Sequence, residues 1–214
     1  MRLYLASTSP ARLATLRAAG IEPVLLNPGV DEDAVVDAER PRSAEQMVEL
    51  LARVKAEAVI GRTVDGAPID GFILGGDSAF ELDGAVYGKP HLPEVARERW
   101  MLQRGREGLL HSGHWLIDSR GGAVATTGLV ATGGVATATV RFADDITDEE
   151  IDAYVATGEP LRVAGAFTID SLGAPFIESV DGDPHAVVGL SLALLRKLLG
   201  RFDVAWPTLW NRVR

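Results

Sequence analysis

The stretch FILGGDSAFELDGAVY, residues 72–87, decides the fold. Phe72–Leu82 has the apolar content of a buried strand, Asp83-Gly84 supplies a hairpin turn, and Ala85–Tyr87 returns as a second strand. Asp-Gly suits such a turn because both of its central residues take positive φ. A hairpin pairs its strands antiparallel, so any sheet that contains this one is not purely parallel.

Working outward, strands alternate with helices. Arg2–Ala6 reads as a short buried strand. Ser9 and Pro10 then read as a helix N-cap and first helical position, with Leu13 and Leu16 on one face and Gly20 closing the helix near residue 19. Ile21–Leu26 is a second strand, and the acidic, turn-rich residues 27–41 read as a loop. Ser43 with Gln46 has the pattern of a capping box, after which Met47, Leu50, Leu51, Val54 and Ala58 repeat at helical spacing to about Ile60. Downstream, Pro93–Gln103 reads as a helix, and Leu109–Asp118 and Ala123–Phe142 as strands joined at Gly121-Gly122, the second long and bulged. Thr147 with Glu150 opens another helix, which ends near Thr157-Gly158. Phe176–Val180 is a strand stopped by an Asp181-Gly182 turn, and Leu190–Leu199 is a helix with Leu195, Leu198 and Leu199 inward. Trp206 and Trp210 follow, expected to pack on the body rather than on a partner chain. The pattern predicts a single α/β domain over residues 1–214, with a mixed sheet flanked by helices.

Charge and composition narrow the function. The 214 residues include 21 basic and 30 acidic side chains, a formal net charge of −9. That acid excess disfavours a surface built for a nucleic-acid polymer, but it leaves room for a small anionic ligand at one local site. Cysteine is absent, so disulfides, thiolate metal sites and thiol nucleophiles are excluded. No apolar run approaches a bilayer-spanning length, and the apolar segment between Arg2 and Arg12 is too short for a signal peptide. A cytoplasmic protein with no membrane partner is expected.

Several short patterns carry candidate chemistry. In LASTSPAR, residues 5–12, a strand ends in hydroxyl residues and a helix starts at once. Free N–H groups and the helix dipole there suit a phosphate, with Ser7 adding a hydroxyl and Arg12 a bidentate fork. Taken alone, the same residues also describe a plain cap beside a surface arginine. In GGDS, residues 75–78, Asp77 follows two glycines inside an apolar strand. It suits a metal or general-base role, and equally a turn aspartate. Lys89, between Gly88 and Pro90, is a phosphate contact or an exposed turn lysine; Lys55, beside Leu51 and Val54, reads alone as a snorkelling lysine. His111 and His114 lie three apart on a strand, a geometry that does not make joint ligands.

Taken together, LASTSPAR, Asp31-Glu32, LARVKA at 51–56, GGDS, Gly88-Lys89-Pro90 and VAGAF…DSLG at 163–173 resemble the Maf family, septum-formation-inhibitor-like nucleoside triphosphate pyrophosphatases. The resemblance covers nearly the whole chain. It implies an elongated, twisted Maf/ITPase-like mixed sheet and a homodimer. It also implies metal-dependent hydrolysis of normal or modified nucleoside triphosphates to monophosphate and pyrophosphate, with Mg²⁺ or Mn²⁺, as housecleaning of the nucleotide pool. By resemblance Asp77 is the general base and, with Glu32, a metal partner. Lys55 and Lys89 join it in catalysis, and Ser7 and Arg12 hold phosphate. Ala11, Ser78 and Asp170 sit at substrate-contacting positions where this chain departs from the family's usual residues, and Val163 replaces a frequent lysine. An ionised Asp170 only accepts hydrogen bonds, so it should favour a base presenting adjacent donors, as guanine does, or else it is a solvated loop residue. Ala11 should leave room for a larger base. The competing class is a non-catalytic nucleotide-binding regulator of cell division.

Overall fold

The computed structural model describes residues 1–124, 128 and 130–212. In chain order its elements are β1 (Leu3–Ala6), α1 (Pro10–Ala18), β2 (Val24–Leu26), α2 (Glu32–Glu39), α3 (Ala44–Glu57), β3 (Thr63–Val64), β4 (Ala67–Pro68), β5 (Gly71–Leu82), β6 (Ala85–Tyr87), α4 (Pro93–Gln103), β7 (Glu107–Ser119), β8 (Ala131–Phe142), α5 (Asp148–Ala156), β9 (Ile177–Gly182), α6 (Pro184–Val188) and α7 (Leu192–Gly200). The strands form a seven-stranded sheet in the order β2-β1-β5-β7-β8-β9, with β6 on β5, while β3 and β4 pair apart from it. β1 runs parallel to β2 and β5, whereas β5–β6 and β8–β9 are antiparallel. The sheet is therefore mixed, and the β5–β6 hairpin turns at Asp83 and Gly84 with φ 51° and 77°. Among the described residues no helix is long and apolar enough to cross a membrane.

The chain groups into two compact units. One is Met1–Asp77, Ser112–Val135 and Gly189–Arg214; the other is Ser78–His111 and Ala136–Val188. The crossings fall inside β5, β7 and β8 and just after α6.

In the first unit both sheet faces are buried, which is why β1 and early β5 read as unbroken apolar runs. Leu3, Leu5, Phe72 and Leu74 join Leu16 of α1 and Leu195, Leu198 and Leu199 of α7. Tyr4, Ala6 and Ile73 face the other way, with Ala56 of α3. In the second unit Trp100 meets Phe142, Tyr154 and Phe176 edge-on at 5.5, 5.3 and 5.7 Å. Each such pair contributes about 0.5–1.5 kcal/mol beyond its buried area.

Several elements differ from the sequence expectation. The 27–41 segment holds α2, capped by Asp31, whose side chain accepts from Ala34 N at 3.0 Å. None of its residues is buried, so it has no apolar stripe to announce it. The buried face of α3 is Ala44, Val48, Leu51, Ala52, Lys55 and Ala56, rotated from the expected stripe, and the helix stops at Glu57. Ser43 caps Gln46 N, but the Gln46 side chain accepts from Arg42 N rather than closing the box on Ser43. β2 starts only at Val24, after Pro23. Asp181 and Gly182 do not turn but stay paired with Thr139 and Ala138, Gly182 at φ 114°. β8 begins at Ala131; residues 125–127 and 129, within the expected strand, lie outside the described residues. The Thr147–Glu150 capping box is present in full. Trp206 packs on the core, while Trp210 is 59% exposed.

Candidate active site

The pleat of β5 aims alternate residues at opposite layers. Phe72, Leu74 and Gly76 face the α1 side, while Ile73, Gly75 and Asp77 face the α3 side. Gly75 is required by contact: a Cβ there would lie 2.0 Å from the Ala52 carbonyl oxygen of α3. A Cβ on Gly76 would press Arg12, 3.1 Å from its Nε and 3.3 Å from its Cδ. One glycine thus lets a helix backbone approach the strand, and the other makes room for a guanidinium.

The close approach of α3 delivers Lys55 to Asp77. Lys55 Nζ donates to Asp77 Oδ1 at 2.7 Å and lies 2.7 Å from Glu32 Oε1. Lys55 and Asp77 are buried; Glu32, at the first position of α2, has a half-exposed side chain. The N-terminus of α2 suits Glu32, whose charge complements the helix dipole. The surface-lysine alternative for Lys55 is excluded by its burial.

On the α1 side, Ser9 caps Arg12 N at 3.4 Å and Pro10 opens the helix. Ser7 Oγ accepts from Ser9 N at 3.2 Å and from Arg12 Nη1 at 3.1 Å. Arg12 is buried as well, and its Nε donates to the Gly189 carbonyl at 2.8 Å. Ala11 sits half-buried in the same turn.

Electrostatics tie these groups into one cluster. Burial raises the Asp77 carboxyl above its ordinary 3.8, more than the Lys55 and Arg12 charges lower it. A raised aspartate is a stronger base than a solvated one. Burial lowers the Arg12 guanidinium below its ordinary value, while Asp77 and Glu32 push it back up. Two cations, Arg12 and Lys55, thus stand against two carboxylates, Asp77 and Glu32, in a formally neutral set.

Ser7, Arg12, Glu32, Lys55 and Asp77 belong to the first unit, and Ser78, Lys89 and Asp170 to the second. Ser78 is half-buried in β5. Lys89 is exposed just after β6, where Arg99 donates to the Gly88 carbonyl and lies over the Tyr87 ring, 5.4 Å from its centroid. Asp170 is exposed. Within the second unit, His111 Nδ1 pairs with Thr137 Oγ1 at 2.9 Å. In the first, His114 Nε2 accepts from Ser191 N at 3.0 Å, so its Nδ1 carries the proton toward Ser112 O at 3.1 Å.

Two further polar contacts had no sequence signal strong enough to flag them, one beside Arg12 and one in the second unit. Gly189 acts through a backbone carbonyl, which any residue carries. Glu159 gathers loop hydroxyls and amides that follow no periodicity; its only hint is its place between Gly158 and Pro160.

The model of the family described as "Maf-like protein" matches residues 2–202. The chain belongs to the Maf family. A relative from Leifsonia xyli subsp. xyli, named nucleoside triphosphate pyrophosphatase, is 64% identical over 99% of this chain and 98% of its own length. Relatives with the same name from Salinispora tropica and Saccharopolyspora erythraea are 50% and 48% identical, each over 99% of this chain and over 88% and 98% of their own lengths. The Maf match spans Ser7 and the four charged residues of the neutral set, as well as Lys89 and Asp170.

Proposed function

We propose that this Maf chain hydrolyses nucleoside triphosphates between the α- and β-phosphates, releasing a monophosphate and pyrophosphate. The observation that carries the reading is the buried Lys55 ammonium shared between Asp77 and Glu32 at 2.7 Å each. The shared name of the full-length relatives supports it.

In this reading Asp77 accepts a proton from a water whose oxygen bonds to the α-phosphorus. The Pα–O bond to the β-phosphate breaks, and pyrophosphate leaves with the electron pair. Lys55 orients the Asp77 carboxylate, and Arg12 with Ser7 offers donors to phosphate oxygens. Such transfers depend chiefly on positioning and on charge stabilisation.

A divalent cation fits the donor set. Glu32 and Asp77 offer hard carboxylate oxygens that converge on one point, at present the Lys55 ammonium. Among the described residues no group of three or more His, Cys, Asp or Glu side chains is placed to hold a metal. One or two carboxylates completed by phosphate oxygens and water is the usual Mg²⁺ arrangement. Because Arg12 and Lys55 are already balanced by Asp77 and Glu32, the cluster has no surplus positive charge for a polyphosphate. Mg²⁺ or Mn²⁺ held by Glu32 and Asp77 would supply that charge and polarise phosphate oxygens.

Lys89 as a phosphate contact and Asp170 as a base contact rest on the family resemblance. So do the homodimer and the housecleaning role. Asp170 is taken to accept from guanine N1 and N2 donors. The test is a panel of normal and modified triphosphates with Mg²⁺ or Mn²⁺, scoring both phosphate products. Pyrophosphate with monophosphate is expected; orthophosphate alone would refute α–β cleavage.

A further inference from the structure

We propose that Glu159 is a positioning residue for base selection, fixing the loop Thr168–Gly173 that carries Asp170. The inference rests on the reading of Asp170 as the base contact.

Glu159 opens a short 3-10 turn after Gly158, which has φ 75°. Its Oε1 accepts from Tyr154 OH at 2.9 Å, Thr168 Oγ1 at 2.6 Å and Gly173 N at 3.3 Å. Its Oε2 accepts from Ser171 Oγ at 2.6 Å and Leu172 N at 3.5 Å. Apart from Tyr154, every one of these donors flanks Asp170. Thr168 lies two residues before it, and Ser171, Leu172 and Gly173 follow directly. The loop also closes on itself, Gly173 N donating to Thr168 Oγ1 at 3.1 Å. A Cβ on Gly173 would come within 2.7 Å of Tyr154 Oη and 2.8 Å of the Thr168 carbonyl oxygen, so the loop is tightly seated.

The approach to the loop is held as firmly. Gly165 and Ala166 take φ 71° and 63° in succession. A non-glycine residue keeps such a conformation only where its surroundings impose it. Here Gln103 Nε2 donates to the Gly165 carbonyl and Trp100 Nε1 to the Ala166 carbonyl, each at 2.7 Å from a fully buried side chain. Backbone on both sides of Asp170 is therefore pinned, while Asp170 itself is exposed and makes no hydrogen bond or ion pair among the described residues. A restrained backbone carrying an uncommitted acceptor is preorganised for recognition. An anchor serving only the fold would have no need to surround this one residue.

The experiment compares wild type with Glu159→Gln, Ser171→Ala and Asp170→Asn. It measures kcat and KM for GTP, ATP, CTP and UTP, together with hydrogen exchange at the Leu172 and Gly173 amides. Glu159→Gln is expected to lower the GTP-over-UTP selectivity about tenfold, the size of one charge-assisted hydrogen bond. The loss should appear as a raised KM for GTP, with kcat for UTP held and both amides exchanging faster. Ser171→Ala should move selectivity the same way by less, and it tests the inference even if Glu159→Gln fails to fold. A purely structural role would lower kcat alike for every nucleotide and leave selectivity unchanged; that result overturns the proposal. Asp170→Asn separates the two readings. If it leaves selectivity unchanged, the base-contact reading falls and this inference with it. If it abolishes selectivity while Glu159→Gln and Ser171→Ala do not, the positioning role alone is refuted.

Discussion

Asp77 and Lys55 lie 22 residues apart in sequence and 2.7 Å apart in space. The ammonium that neutralises Asp77 also holds Glu32, so removing the Asp77 charge does not strand Lys55. Asp77→Asn should therefore fold, since an amide of the same shape still offers Lys55 a carbonyl acceptor. It should lower kcat by about 10²–10⁴-fold, the usual worth of a positioned general base. Steady-state pyrophosphate release with circular dichroism on the same sample checks both halves. Retained turnover in a folded variant would remove Asp77 from the base role. The residue types were legible in the sequence; the burial of Lys55 and Arg12 was not. Both are long cationic side chains that ordinarily end in water, and only the close approach of neighbouring elements encloses them.

At the scale of elements, the strand–helix contact at Gly75 places Lys55. Gly75→Ala forces a methyl to within 2.0 Å of the Ala52 carbonyl oxygen, an atom of the helix backbone that cannot rotate away. α3 must move outward and take Lys55 with it. Overpacking of this kind costs about 1–3 kcal/mol. Urea denaturation should show that loss, and kcat should fall although no group at the site has been altered. An unchanged midpoint with full activity would show that α3 does not rest on Gly75. Elements with strong local signals were legible: the Ser9-Pro10 cap, the Asp83-Gly84 turn and the Thr147–Glu150 box each specify geometry over a few residues. α2 was hidden because a helix with no buried residue has no apolar period. The β3–β4 hairpin, two residues a side around Asp65-Gly66, was too short to show alternation. The turn expected at Asp181-Gly182 failed because cross-strand pairing with β8 continues through it, overriding a local preference.

For the whole molecule, the net charge of −9 conceals a different local balance. The candidate site is formally neutral, because Asp77 and Glu32 balance Lys55 and Arg12. Global stability against pH reports on another carboxylate. Burial pushes Glu159 up, but the hydrogen bonds from Ser171, Thr168, Tyr154 and Leu172 outweigh it and hold the group below its ordinary 4.5. A lowered folded value means that its contribution is whole above pH 4.5 and is lost as pH falls through the folded value. The stability gap between wild type and Glu159→Gln should therefore stay constant near neutrality and narrow below that point. Urea midpoints measured from pH 7 downward check this; a gap that widened in acid would reverse the assigned sign.

In the proposed reaction this cluster directs water to the α-phosphorus. Hydrolysis of a nucleoside triphosphate in ¹⁸O-labelled water tests it most directly, with both products read by mass spectrometry. Label is expected in the nucleoside monophosphate and none in the pyrophosphate. Label in pyrophosphate, or in orthophosphate released beside a nucleoside diphosphate, would contradict it.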